Sequence, residues 1–220
     1  YALQKTITIP ATLSGLASSF GEFIAITQNY LAISAIGQYR MYLYKRVGTN
    51  WEQLKVWNTV SDYSITTTHF GRRPSLNGNY LLFGSSAANS TGNRAYLHEK
   101  NTGGTDNWGL IKTFTYPGSN DTDNVSTNNT EQFGFSTHID GDYIVISANK
   151  AHGWNGSSEI NDCGLVYVYY KHQNGRDQWG RQATLFAQLT NGTNNMSADA
   201  HFGDRCDIRG KYVLSGAPDM

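Results

Sequence analysis

The sequence predicts an all-β protein built from repeated four-stranded antiparallel sheets, and three observations carry that prediction. Gly (23) and Tyr (14) are abundant while only 15% of the residues are charged; together with the many Ser, Thr and Asn, these residues favour strands, tight turns and polar loops over helices. The apolar runs are short, as in Tyr143-Ile-Val-Ile-Ser-Ala148, which is strand length and far from the roughly 20 residues that cross a bilayer. The third observation is an internal repeat, the feature that fixes an architecture when it is present.

The first strand of each unit, strand A, is marked by Phe-Gly, at Phe20-Gly21, Phe70-Gly71, Phe133-Gly134 and Phe202-Gly203. Ten positions after each Phe stands a Tyr that opens an apolar run, at Tyr30, Tyr80, Tyr143 and Tyr212. Short apolar runs bounded by turn residues read as strands buried on both faces, here strand B. Asn77-Gly78, Asp140-Gly141 and Arg209-Gly210 precede three of the Tyr residues and suit a tight hairpin with positive φ, so A and B are antiparallel neighbours. In the first unit Gln28 takes the Gly position, and a different turn is expected. Strand C follows as Arg40–Arg46, Arg94–Lys100 and Leu165–Lys171, alternating and rich in Tyr. Strand D opens on Trp51, Trp108 or Trp179 after a polar turn and ends near Trp57, Thr115 and Phe186. Spacings of 50, 63 and 69 residues between Phe-Gly pairs fit four strands and are too long for one coil of a β-solenoid.

The units therefore run 14–58, 64–116 and 131–188, followed by strands A and B of a further unit at 200–220. Tyr1–Lys5 stands 19 positions before Phe20, as Trp51 does before Phe70, so residues 1–13 are read as strand D of a preceding unit and the chain as an excerpt of a longer one.

A Phe-Gly strand, a hairpin, an apolar strand ending in Gly-Ala-Pro and a Tyr-rich strand resemble the FG-GAP repeat family, the blades of integrin-α-like β-propellers. Gly216-Ala217-Pro218 is the intact copy; Ser34-Ala35, Gly84-Ser85 and Ala148-Asn149 stand in elsewhere. The resemblance implies a partial β-propeller, about four blades of a seven-bladed ring, with a closed four-bladed ring as the alternative. Family members often carry a calcium loop, but calcium needs six to eight oxygens. The nearest segment here, Asp121-Thr-Asp-Asn124, lacks the Gly and the distal acid, so no cofactor is expected. Asp140-Gly-Asp142 is assigned to hairpin geometry.

The remaining candidates concern surfaces rather than reaction chemistry. His69 and His201 recur before Phe-Gly pairs and read as structural; His98 aligns with Tyr44 and Tyr169 as a strand residue with a polar tip. His138 falls on a strand A and His172 on a connection. His152 and Trp154 occupy the longest B-to-C loop and form a candidate ligand loop for sugar or protein. Cys163 and Cys206 lie in adjacent units and are expected to form a disulfide, with two buried thiols as the alternative. Seven asparagines satisfy Asn-x-Ser/Thr: Asn89, Asn120, Asn124, Asn128, Asn155, Asn191 and Asn195. All lie in B-to-C or D-to-A connections, which emerge at one end of a four-stranded unit and would give one glycan-bearing face.

Balanced charge, Lys+Arg 17 against Asp+Glu 17, removes the electrostatic argument for nucleic acid, and no segment inserts into a membrane. No nucleophile elbow, zinc-protease or phosphate-loop motif is present. The sequence thus leads to the expectation of a non-catalytic extracellular or cell-surface module with N-linked glycans. Its partners would be other protein subunits, as in a filament or coat, or extracellular protein and glycan ligands. The alternatives are a propeller-based polysaccharide lyase or hydrolase and an intracellular scaffold.

Overall fold

A computed structural model describes residues 5–8, 19–64, 69–86, 92–117, 131–154, 158–187 and 197–219. The chain is all-β, with three four-stranded antiparallel sheets followed by a hairpin. The first sheet comprises β1 (Phe20–Ile26), β2 (Tyr30–Ala35), β3 (Arg40–Val47) and β4 (Asn50–Asn58). After a short helix, α1 (Thr59–Tyr63), come β5 (Phe70–Asn77), β6 (Tyr80–Ser85), β7 (Arg94–Lys100) and β8 (Trp108–Thr115). The third sheet starts with β9 (Phe133–Asp140) and β10 (Tyr143–Ala148). A small hairpin, β11 (Gly153–Trp154) and β12 (Glu159–Ile160), interrupts it before β13 (Leu165–Tyr170) and β14 (Gly180–Leu185). The final hairpin is β15 (Cys206–Arg209) and β16 (Tyr212–Ser215). Within each sheet the strands lie side by side in chain order. Most of the strand D expected at the start of the chain lies outside the described residues.

Phe-Gly is a turn at the mouth of the strand, which refines the reading of it as regular strand. Phe135 N–H donates to Gln132 C=O at 3.1 Å, as Glu22 N–H does to Ser19 C=O at 3.2 Å and Asp204 N–H to His201 C=O at 3.0 Å. The glycine is the third residue of each turn, with φ of +85° at Gly21, +88° at Gly134 and +94° at Gly203, the conformation a type II turn requires there. It also allows close approach of the preceding sheet, since a Cβ on Gly134 would overlap the Arg94 carbonyl and one on Gly71 would lie 3.2 Å from the Arg40 carbonyl. Arg40 and Arg94 each open a strand C, so the same contact recurs from sheet to sheet. In the last unit the turn is not followed at once by strand, and β15 starts only at Cys206. The hairpin glycines Gly78, Gly141 and Gly210 have φ of +56°, +58° and +53°, whereas the first hairpin closes through Thr27 N–H on Tyr30 C=O at 2.8 Å.

Consecutive sheets pack against one another, each strand A touching the strand A that follows. Alternation along strand B serves both neighbours at once: Leu81 and Phe83 join the core shared with the first sheet, and Leu82 the core shared with the third. This explains why the B strands read as continuous apolar runs. Strand A is an edge whose free backbone groups need partners, and side chains of the preceding sheet supply them. Ile139 N–H donates to Ser75 Oγ at 3.1 Å and Cys206 N–H to Ser136 Oγ at 3.1 Å. At the hairpins, Gly141 N–H donates to Asn77 Oδ1 at 3.3 Å and Gly210 N–H to Asp140 Oδ2 at 2.8 Å. Asp140 thus has an inter-sheet role in the turn.

In the first sheet and the last hairpin, positions that are buried in the middle sheets lie uncovered. Ile26 is 64% exposed, whereas its repeat equivalents Ile139 and Ile208 are 1% and 2% exposed. Leu214 is 76% exposed where Leu82 and Val145 are fully buried. The fourth Tyr strand therefore departs from the expectation of burial on both faces, because among the described residues neither a strand C nor a following sheet covers it.

Candidate functional site

The B-to-C loop of the third sheet and the segment leading into β15 lie side by side. Asp199 N–H donates to Asn161 C=O at 3.1 Å, His201 N–H to Asp162 C=O at 3.1 Å and Phe202 N–H to Cys163 C=O at 2.9 Å. These backbone bonds fix where the side chains start. Asp162, Asp199 and His201 each bring one ligand-type atom within 4.8 Å of the others. His201 Nδ1 also lies 2.8 Å from Asp219 Oδ2.

His152 belongs to this cluster, its Nδ1 3.2 Å from Glu159 Oε1 and its Nε2 3.4 Å from Asp162 Oδ1. Lys150 Nζ stands 4.0 Å from Asp162 Oδ2. Trp154, the other half of the expected ligand loop, is 42% exposed on β11. The loop therefore divides: His152 is held among carboxylates and Trp154 faces solvent. Glu131 is 1% exposed, and its Oε1 has no hydrogen-bond partner. Burial, with smaller effects from Asp162 and Glu159, pushes its carboxyl up to about 7.

A second cluster forms where the A strands begin. The Arg72 and Arg73 guanidinium carbons lie 3.8 and 4.6 Å from the Phe135 ring centre, with Phe23 at 5.7 and 5.5 Å. Arg73 Nη2 is 3.8 Å from Asp204 Oδ2. Burial brings Arg72 down to about 10 despite the opposing charges of Glu22 and Asp204. Two guanidinium planes between two rings form a cation–π layer across three sheets, which suits packing of the converging strands.

The other sequence candidates are placed as follows. Cys163 and Cys206 are buried thiols with no disulfide between them, so the expected bridge is not formed. Cys163 Sγ is directed to the Ala151 carbonyl at 3.5 Å, and Cys206 belongs to the core of Val145, Val166 and Ile208. Burial pushes their thiols up to about 11 and about 12, which makes both poor nucleophiles. His98 is a strand residue of β7, as expected, and fully buried: it stacks on Phe83 at 5.1 Å, and its polar tip Nε2 lies 2.8 Å from the Tyr63 hydroxyl. His138 joins β9 to β15, with Nδ1 2.8 Å from Asp207 Oδ1. His172 Nδ1 accepts from Asp177 N–H in the turn after β13. Asn89, Asn120, Asn124, Asn128, Asn155, Asn191 and Asn195 lie outside the described residues, as does Asp121-Thr-Asp-Asn124.

Sequence reasoning missed Asp162, Asp199 and the role of His201. The Asp-x-His spacing at 199–201 was a weak signal, and only the fold brings Asp162 to it. No family model matches the chain. No curated protein matches it. No helix among the described residues is long and apolar enough to cross a membrane.

Proposed function

We propose that this chain is part of an FG-GAP-like β-propeller that acts as a non-catalytic, glycosylated extracellular module for adhesion or assembly. The observation that carries the reading is the pairing of a repeated inter-sheet contact with uncovered apolar positions at the two end sheets. Ile24, Ile26, Tyr212 and Leu214 are 60%, 64%, 71% and 76% exposed, far more than isolated surface apolar residues need. A cleft of about 480 Å³ beside β16 is lined in part by Leu214 and lies on that uncovered face of the last hairpin. These surfaces suit further sheets of the same kind, from the same polypeptide or from another subunit. The seven sequons support an extracellular setting.

The enzyme reading finds less support. Glu131 has the acidity of a general acid–base group, but at 1% exposure it has no access to a polysaccharide. Sedimentation analysis of the chain and of Leu214→Asp tests the assembly reading. Concentration-dependent association that Leu214→Asp abolishes supports it; a monomer at all concentrations that cleaves polysaccharide replaces it with the enzyme reading. Glycopeptide analysis of native material checks the location, and unmodified asparagines at all seven sequons would remove the extracellular assignment.

A further inference from the structure

We propose that Asp162, Asp199 and His201 form a divalent-cation site of the zinc class, with His152 as a neighbouring donor, joining the third sheet to the fourth. The inference does not depend on ring size or on the assembly reading.

Two carboxylates and an imidazole nitrogen already lie within 4.8 Å of one another. Ligands bound at about 2.0–2.1 Å in a tetrahedron are separated by about 3.3 Å, so modest side-chain rotations close the site. Asp199 is exposed and free to make them, whereas the backbone bonds from Asp199 and His201 to Asn161 and Asp162 hold the two segments in place.

The outer partners favour a metal. His201 Nδ1 faces Asp219 at 2.8 Å, which puts the proton of the neutral ring on Nδ1 and leaves Nε2 as a donor, the carboxylate–histidine relation found behind metal ligands. His152 repeats it through Glu159 at 3.2 Å. Its Nε2 then turns a lone pair toward Asp162 Oδ1 at 3.4 Å, and two acceptors face one another. A bound cation resolves that conflict.

An independent sign is the buried Glu131, whose Oε1 has no partner and whose backbone carbonyl accepts from Lys150 N–H at 3.2 Å, beside the segment that carries His152. Glu159, Asp162, Asp199 and Asp219 concentrate negative charge, which Lys150 opposes from 4.0 Å at Asp162. Mixed imidazole and carboxylate donors select zinc-like cations over calcium, which takes oxygen ligands in larger number.

The test titrates the chelator-treated chain with zinc(II) alone and calcium(II) alone at pH 8, by calorimetry and thermal unfolding. One zinc(II) per chain and a Tm rise of several degrees at saturation are expected, with no effect of millimolar calcium(II). Asp199→Asn and His201→Gln lower zinc affinity at least about tenfold, and Asp219→Asn about 10–100-fold. The metal-free variants should match the metal-free parent in circular dichroism and Tm; should His201→Gln not fold, Asp199→Asn at its exposed position decides. Absence of zinc uptake at tens of micromolar, equal affinity in Asp199→Asn, or calcium binding as tight as zinc would overturn the proposal.

Discussion

Tyr80 of β6 packs edge-on against Trp179, the residue that leads into β14 of the next sheet, at 5.6 Å between ring centres and 82° between planes. Lys171 Nζ lies 5.3 Å from the same Tyr ring. One sheet earlier, Tyr30 meets Trp108 at 5.0 Å and 71°, with Lys100 at 5.3 Å. The Tyr and Trp landmarks of the repeat are thus two halves of one contact, made between consecutive sheets. The edge-to-face arrangement suits the ring quadrupoles, and the ammonium adds a cation–π attraction.

This contact makes the Trp positions unequal in a predictable way. Trp108→Ala and Trp179→Ala remove side chains that are 0% and 2% exposed and should each cost about 3–5 kcal/mol in urea unfolding. Trp51, the equivalent in the first sheet, is only half-buried, and Trp51→Ala should cost clearly less. Equal losses at Trp51 and Trp108 would contradict the inter-sheet role.

The Phe-Gly glycines offer a second comparison. Gly134→Ala must strain a positive φ and also displace the Arg94 carbonyl, whereas a Cβ on Gly21 meets nothing within 4 Å. Gly21→Ala is expected to lose about 1 kcal/mol from backbone conformation alone, and Gly134→Ala several times that or its ability to fold. Similar denaturation midpoints for the two variants would show that close approach of the sheets is not what selects glycine.

His98 sets an acid limit on stability. Burial, helped by the Lys55 charge, brings its pKa down to about 3 from the 6.5 of the unfolded chain. Between those values the unfolded state binds the extra proton, so the contribution is complete above pH 6.5 and is lost as pH falls toward 3, by roughly a few kcal/mol in all. His98→Phe should be less stable at neutral pH, because the Tyr63 hydroxyl loses its partner, yet show a flatter acid limb. An unchanged pH slope in His98→Phe, measured by urea unfolding from pH 4 to 7, would assign the acid sensitivity elsewhere.

The two thiols should be silent in the native state. With both buried and their pKa values near 11 and 12, a thiol reagent at pH 8 is expected to modify Cys163 and Cys206 only after denaturant is added. Two thiols should then titrate per chain. A denatured, unreduced chain with no reactive thiol would restore the disulfide.

The sequence by itself determined the order of the strands in the four-stranded sheets, because Phe-Gly, Tyr and Trp mark a strand start, a two-sided buried strand and an anchored strand start. It could not show that Tyr80 belongs with Trp179 or Gly134 with Arg94, since each pair spans two sheets. His98 was legible as a strand residue, but its partners Tyr63 and Phe83 come from α1 and β6 and were not. The Asp162, Asp199 and His201 cluster was likewise decided only by how the third sheet meets the last hairpin. Local backbone chemistry writes strands into a sequence, whereas side chains from distant segments become neighbours only when packed sheets share a core.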